Sequence, residues 1–358
     1  MAGLYDMTLE EIRGLLGDVP DYRARQVWDG LYRRADTPEK MTGLPAQLRT
    51  LLEEVPGALS EITRRTTDNG DTIKWLFGRH DGSTIETVLM RYRTRATVCV
   101  STQAGCAMGC TFCATGQAGF ARHLTAGEIV EQVAMARRSA TPDRLSNVVF
   151  MGMGEPLSNY DRVWESVEKL NGEMGIAARH LTISTVGIIP GIKRLSTESI
   201  QVGLAVSLHA ANDELRDSLV PINRRYPLGD LVEACRGYVS TTNRRLSFEW
   251  ALIDGVNDRP SDALELAGIA IDLGAHVNLI PLNPTPGYAV RGTPKQRVRE
   301  FRNTLETLGV NVTVRSTRGA DIDAACGQLS GSEGSPDVPV RLSTRSVSKE
   351  TGSRGRAS

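Results

Sequence analysis

Three cysteines fall within the stretch Gly105-Cys106-Ala107-Met108-Gly109-Cys110-Thr111-Phe112-Cys113-Ala114-Thr115-Gly116, half of the six that the chain contains. Thiolates are soft ligands for iron–sulfur clusters and zinc, and local cysteine runs in iron–sulfur proteins normally complete a set of four. This run stops at three. A cubane held by three thiolates keeps one iron without a protein ligand, and an open coordination position separates a reactive metal centre from a structural one. The alternative is a zinc site that borrows a fourth ligand such as His123 or Cys99.

The elements that must position this loop follow from periodicity. From Leu4 to about Val55, apolar residues recur at helical spacing, interrupted at Pro20 and around Pro38 and Pro45, which predicts a small helical domain over residues 1–60. Its acidic residues outnumber its basic ones, although Arg23, Arg25, Arg33 and Arg34 could share a phosphate-gripping face. Residues 61–94 read as a β-meander linker, with turn signals at Asp68-Asn69-Gly70-Asp71 and His80-Asp81-Gly82-Ser83 between β-prone runs. A further β-prone run, Arg95–Thr102, delivers Cys99 and then the cysteine loop.

Beyond that loop, strand and helix alternate. Thr125 and Glu128 form a capping box for the next helix, and strands are expected at Asn147–Met151, Leu181–Val186, Gln201–His209, Leu246–Ile253, His276–Pro281 and Asn311–Arg315. Helical stretches near 160–172, 213–220, 228–239, 261–273 and 293–308 separate them. This alternation implies a parallel sheet, either doubly wound or an open or complete barrel, and both place active residues at the strands' carboxyl ends. Gly154-Glu155-Pro156, Ser184-Thr185, Ser207-Leu208-His209 and Asn283 all fall there. Cys235 lies in a helical stretch and reads as a buried structural thiol.

Composition narrows the class further. The 358 residues suit one large domain with a small companion, and 42 basic against 42 acidic side chains leave no net charge, so any RNA contact must use a local patch. No run approaches the ~18 apolar residues of a membrane span, and no secretion signal opens the chain, so a cytoplasmic protein with reduced, ligating or catalytic thiols is expected. Residues 330–358, rich in Gly, Ser, Thr and Arg, read as a disordered tail.

Taken together, the cysteine triplet, Met151-Gly152-Met153-Gly154-Glu155-Pro156-Leu157, Ser207-Leu208-His209-Ala210, Asn278-Leu279-Ile280-Pro281 and Asp321-Ile322-Asp323-Ala324-Ala325-Cys326-Gly327-Gln328-Leu329 closely resemble the RlmN branch of radical-SAM RNA methyltransferases. The resemblance runs from about Leu4 to Leu329. It implies an α/β fold, a partial TIM-type (β/α) barrel over residues 95–329, with the helical domain as an accessory. It also implies methylation at carbon 2 of adenosine in 23S rRNA and in certain tRNAs. Carbon 2 offers no nucleophilic lone pair for ordinary methyl transfer, so a cofactor must supply radical chemistry.

By resemblance, Cys106, Cys110 and Cys113 hold a 4Fe–4S cluster whose open iron binds S-adenosylmethionine, two of which are used per turnover. Gly154, Glu155, Ser184, Ser207, Leu208, His209 and Asn283 match the family's contacts to that cofactor. Cys326 matches the methyl carrier, and Cys99 the accessible, thiolate-prone group that removes the adenine proton and closes a transient disulfide with Cys326. Glu86 falls on the family's proton-acceptor position, its competing reading being a solvated carboxylate on an exposed strand. An external electron donor such as flavodoxin or ferredoxin and a monomeric state are also implied. Two rivals remain: a Cfr-like enzyme acting at carbon 8, and an RNA-binding module with structural zinc.

Overall fold

Thr8 and Glu11 cap the first helix reciprocally, and the chain then runs through α1 (Leu9–Leu16), α2 (Tyr22–Asp29) and α3 (Ala46–Glu53). In this computed structural model the described residues are 3–283, 291–315, 319–325 and 327–331, so Cys326 and the expected disordered tail beyond Gly331 lie outside them. Ile12, Leu16, Val27, Leu31 and Leu52 are buried in the same continuous core as the strands that follow. Backbone carbonyls of the helical region are also tied down from outside it: Lys169 donates to Tyr5 O at 3.0 Å, and Arg138 to Ala35 O at 3.1 Å.

The arginines expected on one phosphate-gripping face are mostly committed. Arg23 donates to Gln26 and to Gly43 O, Arg33 pairs with Asp29 at 3.0 Å, and Arg34 pairs with Asp36 at 2.6 Å.

The meander forms β1 (Ser60–Thr67), β2 (Thr72–Gly78) and β3 (Thr84–Tyr92), all antiparallel, and β3 pairs antiparallel with β4 (Arg95–Cys99). Expected as a linker, it is instead continuous with the main sheet. A two-stranded hairpin, β5 (Gln103–Gly105) with β6 (Phe120–His123), closes the base of the cysteine loop around the short α4 (Ala114–Gln117). Gly105 has φ +75°, and a Cβ there would stand 2.0 Å from Gly119 O, so only glycine fits where the two arms of the loop cross.

The alternation then unfolds as α5 (Ala126–Ala140), β7 (Leu145–Phe150), α6 (Tyr160–Glu168), β8 (Leu181–Thr185), α7 (Ile189–Leu195), β9 (Gly203–Ser207), α8 (Asp213–Leu219) and α9 (Leu228–Thr242). It closes with β10 (Leu246–Leu252), α10 (Pro260–Asp272), β11 (His276–Pro281), α11 (Lys295–Thr307) and β12 (Val312–Val314). The Thr125–Glu128 capping box opens α5 as its sequence predicts. The helix α7 was not expected, and Pro190 sits in its first turn, where a missing N–H costs nothing.

The sheet order is β1-β2-β3-β4-β7-β8-β9-β10-β11-β12, and β4 and β7 to β12 are mutually parallel. Each parallel strand pairs with the next in the chain. A doubly wound sheet would reverse its order at a switch point, so this is singly wound barrel topology, left open because β1 and β12 are the two edges of the sheet. Ile183, Val206, Phe248 and Val277 are at most 1% exposed, and each such side chain contributes roughly 1.5–3 kcal/mol through burial. Among the described residues no helix is long and apolar enough to cross a membrane.

Candidate active site

The cysteine loop folds over the carboxyl ends of the parallel strands. Cys106 N donates to Gly119 O at 2.7 Å, Thr111 N reaches Leu219 O at 3.2 Å, and Ala114 N reaches Gly327 O at 2.9 Å, so the loop is fastened to the hairpin, to α8 and to the segment near the C-terminal end of the described chain. Cys106, Cys110 and Cys113 line one cavity of ≈ 150 Å³ together with Gly154, Glu155, Ser184, Ser207 and His209. Strands far apart in sequence thus deliver their terminal residues to the three sulfurs. His123 and Cys99, the possible fourth ligands of a zinc site, do not line this cavity; His123 Nδ1 lies 3.0 Å from Gln103 Nε2.

The donor set fits a metal cluster. Burial raises the Cys106 thiol to about 12, and burial together with the neighbouring Cys113 and Cys106 raises Cys110 well above the ordinary range. Cys106 and Cys110 would stay protonated alone, whereas bound metal inverts that logic by holding them as thiolates. The cation nearest in effect is Arg216, which sequence reasoning missed. It lies fully buried under the loop, donating to Leu208 O at 3.1 Å, Val186 O at 2.6 Å and Asn223 Oδ1 at 2.7 Å. Burial lowers it to about 10, so it remains charged at neutral pH beside the cysteines.

Glu155 is 2% exposed, and burial raises its carboxyl to about 7 despite N–H donors from Leu157 at 2.9 Å and Val186 at 2.8 Å. A ligand ammonium in the same cavity would restore the charged form. Gly154 precedes it at φ +102°, where a Cβ would meet Gln103 Cβ at 2.6 Å. His209 also adopts a left-handed conformation, φ +59°, and its Nδ1 accepts from Ala251 N at 2.9 Å. Burial and the Arg216 charge lower it to about 3, so it is neutral, with its proton on Nε2 as a donor. Phe112 packs edge-on against its ring, 4.7 Å between centroids.

Leu208 differs from the other expected contacts: its side chain is in the core, its N–H donates to Glu249 O and its carbonyl accepts from Arg216. Asn283 lines a second cavity of ≈ 90 Å³, together with Cys99, Cys113, Ala325 and Gly327. Cys113, Thr115, Met151, Gly152 and Gly327 border both cavities. Cys99 ends β4 and is 6% exposed, so it is reached through this cavity rather than from open solvent, contrary to the expected accessibility. Cys326 lies outside the described residues, but its neighbours Ala325 and Gly327 line the Cys99 cavity. Arg315 borders both cavities and carried no sequence signal. Cys235 is fully buried in the core, as its helical position suggested.

Glu86 is not a solvated carboxylate. It is 1% exposed on β3, paired with Lys74 at 2.8 Å, and accepts from Ser330 N at 2.8 Å and Gly331 N at 3.3 Å. Lys74 Nζ also donates to Asp323 O at 3.2 Å, so the pair grips the chain on both sides of Cys326. Removing one partner of a buried pair costs about 3–5 kcal/mol. Lys74→Met and Glu86→Gln are therefore expected to speed amide hydrogen exchange in residues 319–331 and to lower turnover comparably. A silent Lys74→Met beside a dead Glu86→Gln would instead mark Glu86 as a base.

The sequence profile of the Radical SAM superfamily matches residues 100–267. A probable dual-specificity RNA methyltransferase RlmN of Chloroflexus aurantiacus is 47% identical over 94% of this chain and 96% of its own length. The dual-specificity RNA methyltransferase RlmN 1 of Myxococcus xanthus is 48% identical over 92% and 94%. The crystal structure of a radical SAM methyltransferase from Sphaerobacter thermophilus superposes with a TM-score of 0.88 at 50% identity, covering 93% of this chain and 100% of that one. With three cysteines lining one cavity at the strand ends and likeness along nearly its whole length, the chain belongs to the RlmN family of radical-SAM methyltransferases, enzymes that depend on S-adenosylmethionine and an iron–sulfur cluster.

Proposed function

We propose that the protein methylates carbon 2 of adenosine in 23S rRNA, at the peptidyl-transferase centre, and in certain tRNAs, next to the anticodon. The observation that carries this reading is the shared wall between the cavity of the three cysteines and the cavity of Cys99, which Ala325 and Gly327 flank. A methyl carrier at Cys326 and a resolving thiol at Cys99 need that adjacency. The relatives' description as dual-specificity RNA methyltransferases supports the same reading.

Cys106, Cys110 and Cys113 would hold the cluster, and Glu155 would accept from the ammonium of S-adenosylmethionine. Bound together, these groups supply hydrogen-abstracting radical chemistry, at two S-adenosylmethionines per turnover. Neutral His209 offers Nε2–H, and Ser184 and Ser207 offer hydroxyls, to the polar rim of the cofactor. Cys326 carries the one-carbon unit and becomes joined through it to adenine, and the unpaired electron this leaves on the ring would be returned to the cluster that supplied it. Cys99 takes the carbon 2 proton, and its sulfur then bonds to that of Cys326 as the sulfur–methylene bond breaks and the electron pair passes to the nucleobase side. The released methylene is protonated to methyl, and a cellular thiol reduces the disulfide. Reduced cytoplasm, a monomeric enzyme and a flavodoxin or ferredoxin donor suit this chemistry.

Mass spectrometry of rRNA and tRNA from cells with and without the gene tests the reading. Loss of 2-methyladenosine from both RNAs on deletion is expected. Loss of an 8-methyl product instead would move the protein to the Cfr-like reaction.

A further inference from the structure

A (β/α) barrel interior is normally filled by layers of bulky side chains. Here the lumen at the amino-terminal ends of the strands is hollow, a cavity of ≈ 560 Å³, because the strands turn small polar residues into it: Thr97, Asn147, Thr182, Ser247, Asn278 and Thr313. They form a tier, since Thr97 pairs in register with Asn147, and Asn278 with Thr313. This tier lies at the opposite ends of the strands from the cysteine loop. Met151, Glu249 and Arg315 are common to both cavities, so the lumen reaches the floor of the cofactor site.

The rim is cationic. Arg95 begins β4, Arg179 precedes β8, and Arg244 and Arg245 precede β10, and all four line the cavity. Among the described residues none of the four forms an ion pair, and Arg95 lies over the Tyr92 ring at 4.6 Å. Glu249 is the one carboxylate among the described lining residues. It is buried and accepts from Asn278 Nδ2 at 2.8 Å; Arg315 and, among the rim arginines, Arg245 act on its charge. The positive field reaches the nearby histidines, since burial and then Arg179 lower His180, and burial and then Arg245 lower His276. With 42 basic and 42 acidic residues in the chain, such a concentration is local and not a by-product of overall charge.

Guanidinium forks match phosphate oxygens, hydroxyl and amide side chains complete such a site, and the volume falls within the range of small-ligand pockets, about 300–1,000 Å³. We propose that this lower lumen binds a phosphate-bearing anion of nucleotide size, at a site separate from that of S-adenosylmethionine. The phosphate could belong to a free nucleotide or to a strand of RNA, and the test distinguishes the two.

Inorganic pyrophosphate titrated calorimetrically into the full-length holoenzyme is expected to bind saturably at a single site per chain. Arg244→Ala/Arg245→Ala should weaken that binding by about tenfold or more, because each charge-assisted fork is lost, and salt should weaken it further. Arg95→Ala/Arg179→Ala should act in the same direction, so that one poorly folding variant does not decide the matter. If a short single-stranded RNA binds the wild type, is displaced by pyrophosphate and loses affinity in both double variants, the phosphate is that of RNA. If its binding is indifferent to both, the ligand is a free nucleotide anion. Absence of saturable pyrophosphate binding, or equal affinity in the wild type and both folded variants, overturns the proposal. Because no turnover is read, failure here leaves the methylation reading untouched.

Discussion

Cys110→Ala protein, reconstituted anaerobically with iron and sulfide, is expected to stay colourless, to hold little iron and to show no turnover. Cys110 is the most deeply buried of the three loop cysteines, packed with Phe112, Leu219 and Ile253. It would supply one of three thiolates, and among the described residues no further thiol lines the cavity to replace it, since Cys99 faces another. The fold should survive, because alanine in an apolar pocket leaves only a small void, worth about 1 kcal/mol. Iron content, the absorbance of the reconstituted protein and its circular dichroism separate loss of the cluster from loss of structure. The same outcome is expected for Cys106→Ala and Cys113→Ala. Normal iron–sulfur absorbance with normal activity in any of the three would refute the ligand assignment, and bound zinc in a colourless wild type would favour the structural-zinc alternative.

The chemistry was legible in the sequence to the extent that it sits in local runs. The cysteine triplet, Gly154-Glu155 and Ser207-Leu208-His209 are short motifs, and the βα alternation puts them at strand ends without any knowledge of the sheet order. What sequence could not supply was the environment of single residues. Arg216 lies in Asp213-Glu214-Leu215-Arg216-Asp217, which reads as an exposed helix face, yet its guanidinium is buried by carbonyls from two other loops. For Glu86 a solvated carboxylate stood as the competing reading to the proton acceptor, because nothing local announces that β3 is a central strand, covered between β2 and β4, or that Lys74 would meet it. The strand β1 was missed for the converse reason: Ser-Glu-Ile-Thr-Arg-Arg-Thr-Thr carries no apolar alternation, and its Ile62 is exposed, as an edge strand allows. Strand ends shifted by one or two residues where a cap or a left-handed residue, such as His209, intervenes.

Cys99→Ala should still load a methyl group on Cys326 and add it to adenine, but it should stall there, because the thiol that resolves the adduct is gone. Protein joined covalently to RNA is then expected to accumulate as a nuclease-sensitive band shift on a denaturing gel, while free methylated RNA falls by orders of magnitude. The packing loss is small, since Cys99 ends its strand beside Val88 and Val149, and alanine keeps the backbone pairing. Cys326→Ala should fail earlier. It has no sulfur to carry the one-carbon unit, so it should neither become methylated nor attach to RNA, although the cluster loop and Glu155 stay as they were. The double variant should behave like Cys326→Ala, because a resolving thiol has nothing to resolve when no adduct forms. That ordering, in which one substitution hides the other, distinguishes consecutive jobs on one intermediate from two independent contributions to a shared pocket. Free, normally methylated RNA from Cys99→Ala, or an adduct formed without Cys326, would break the division of labour between the two thiols.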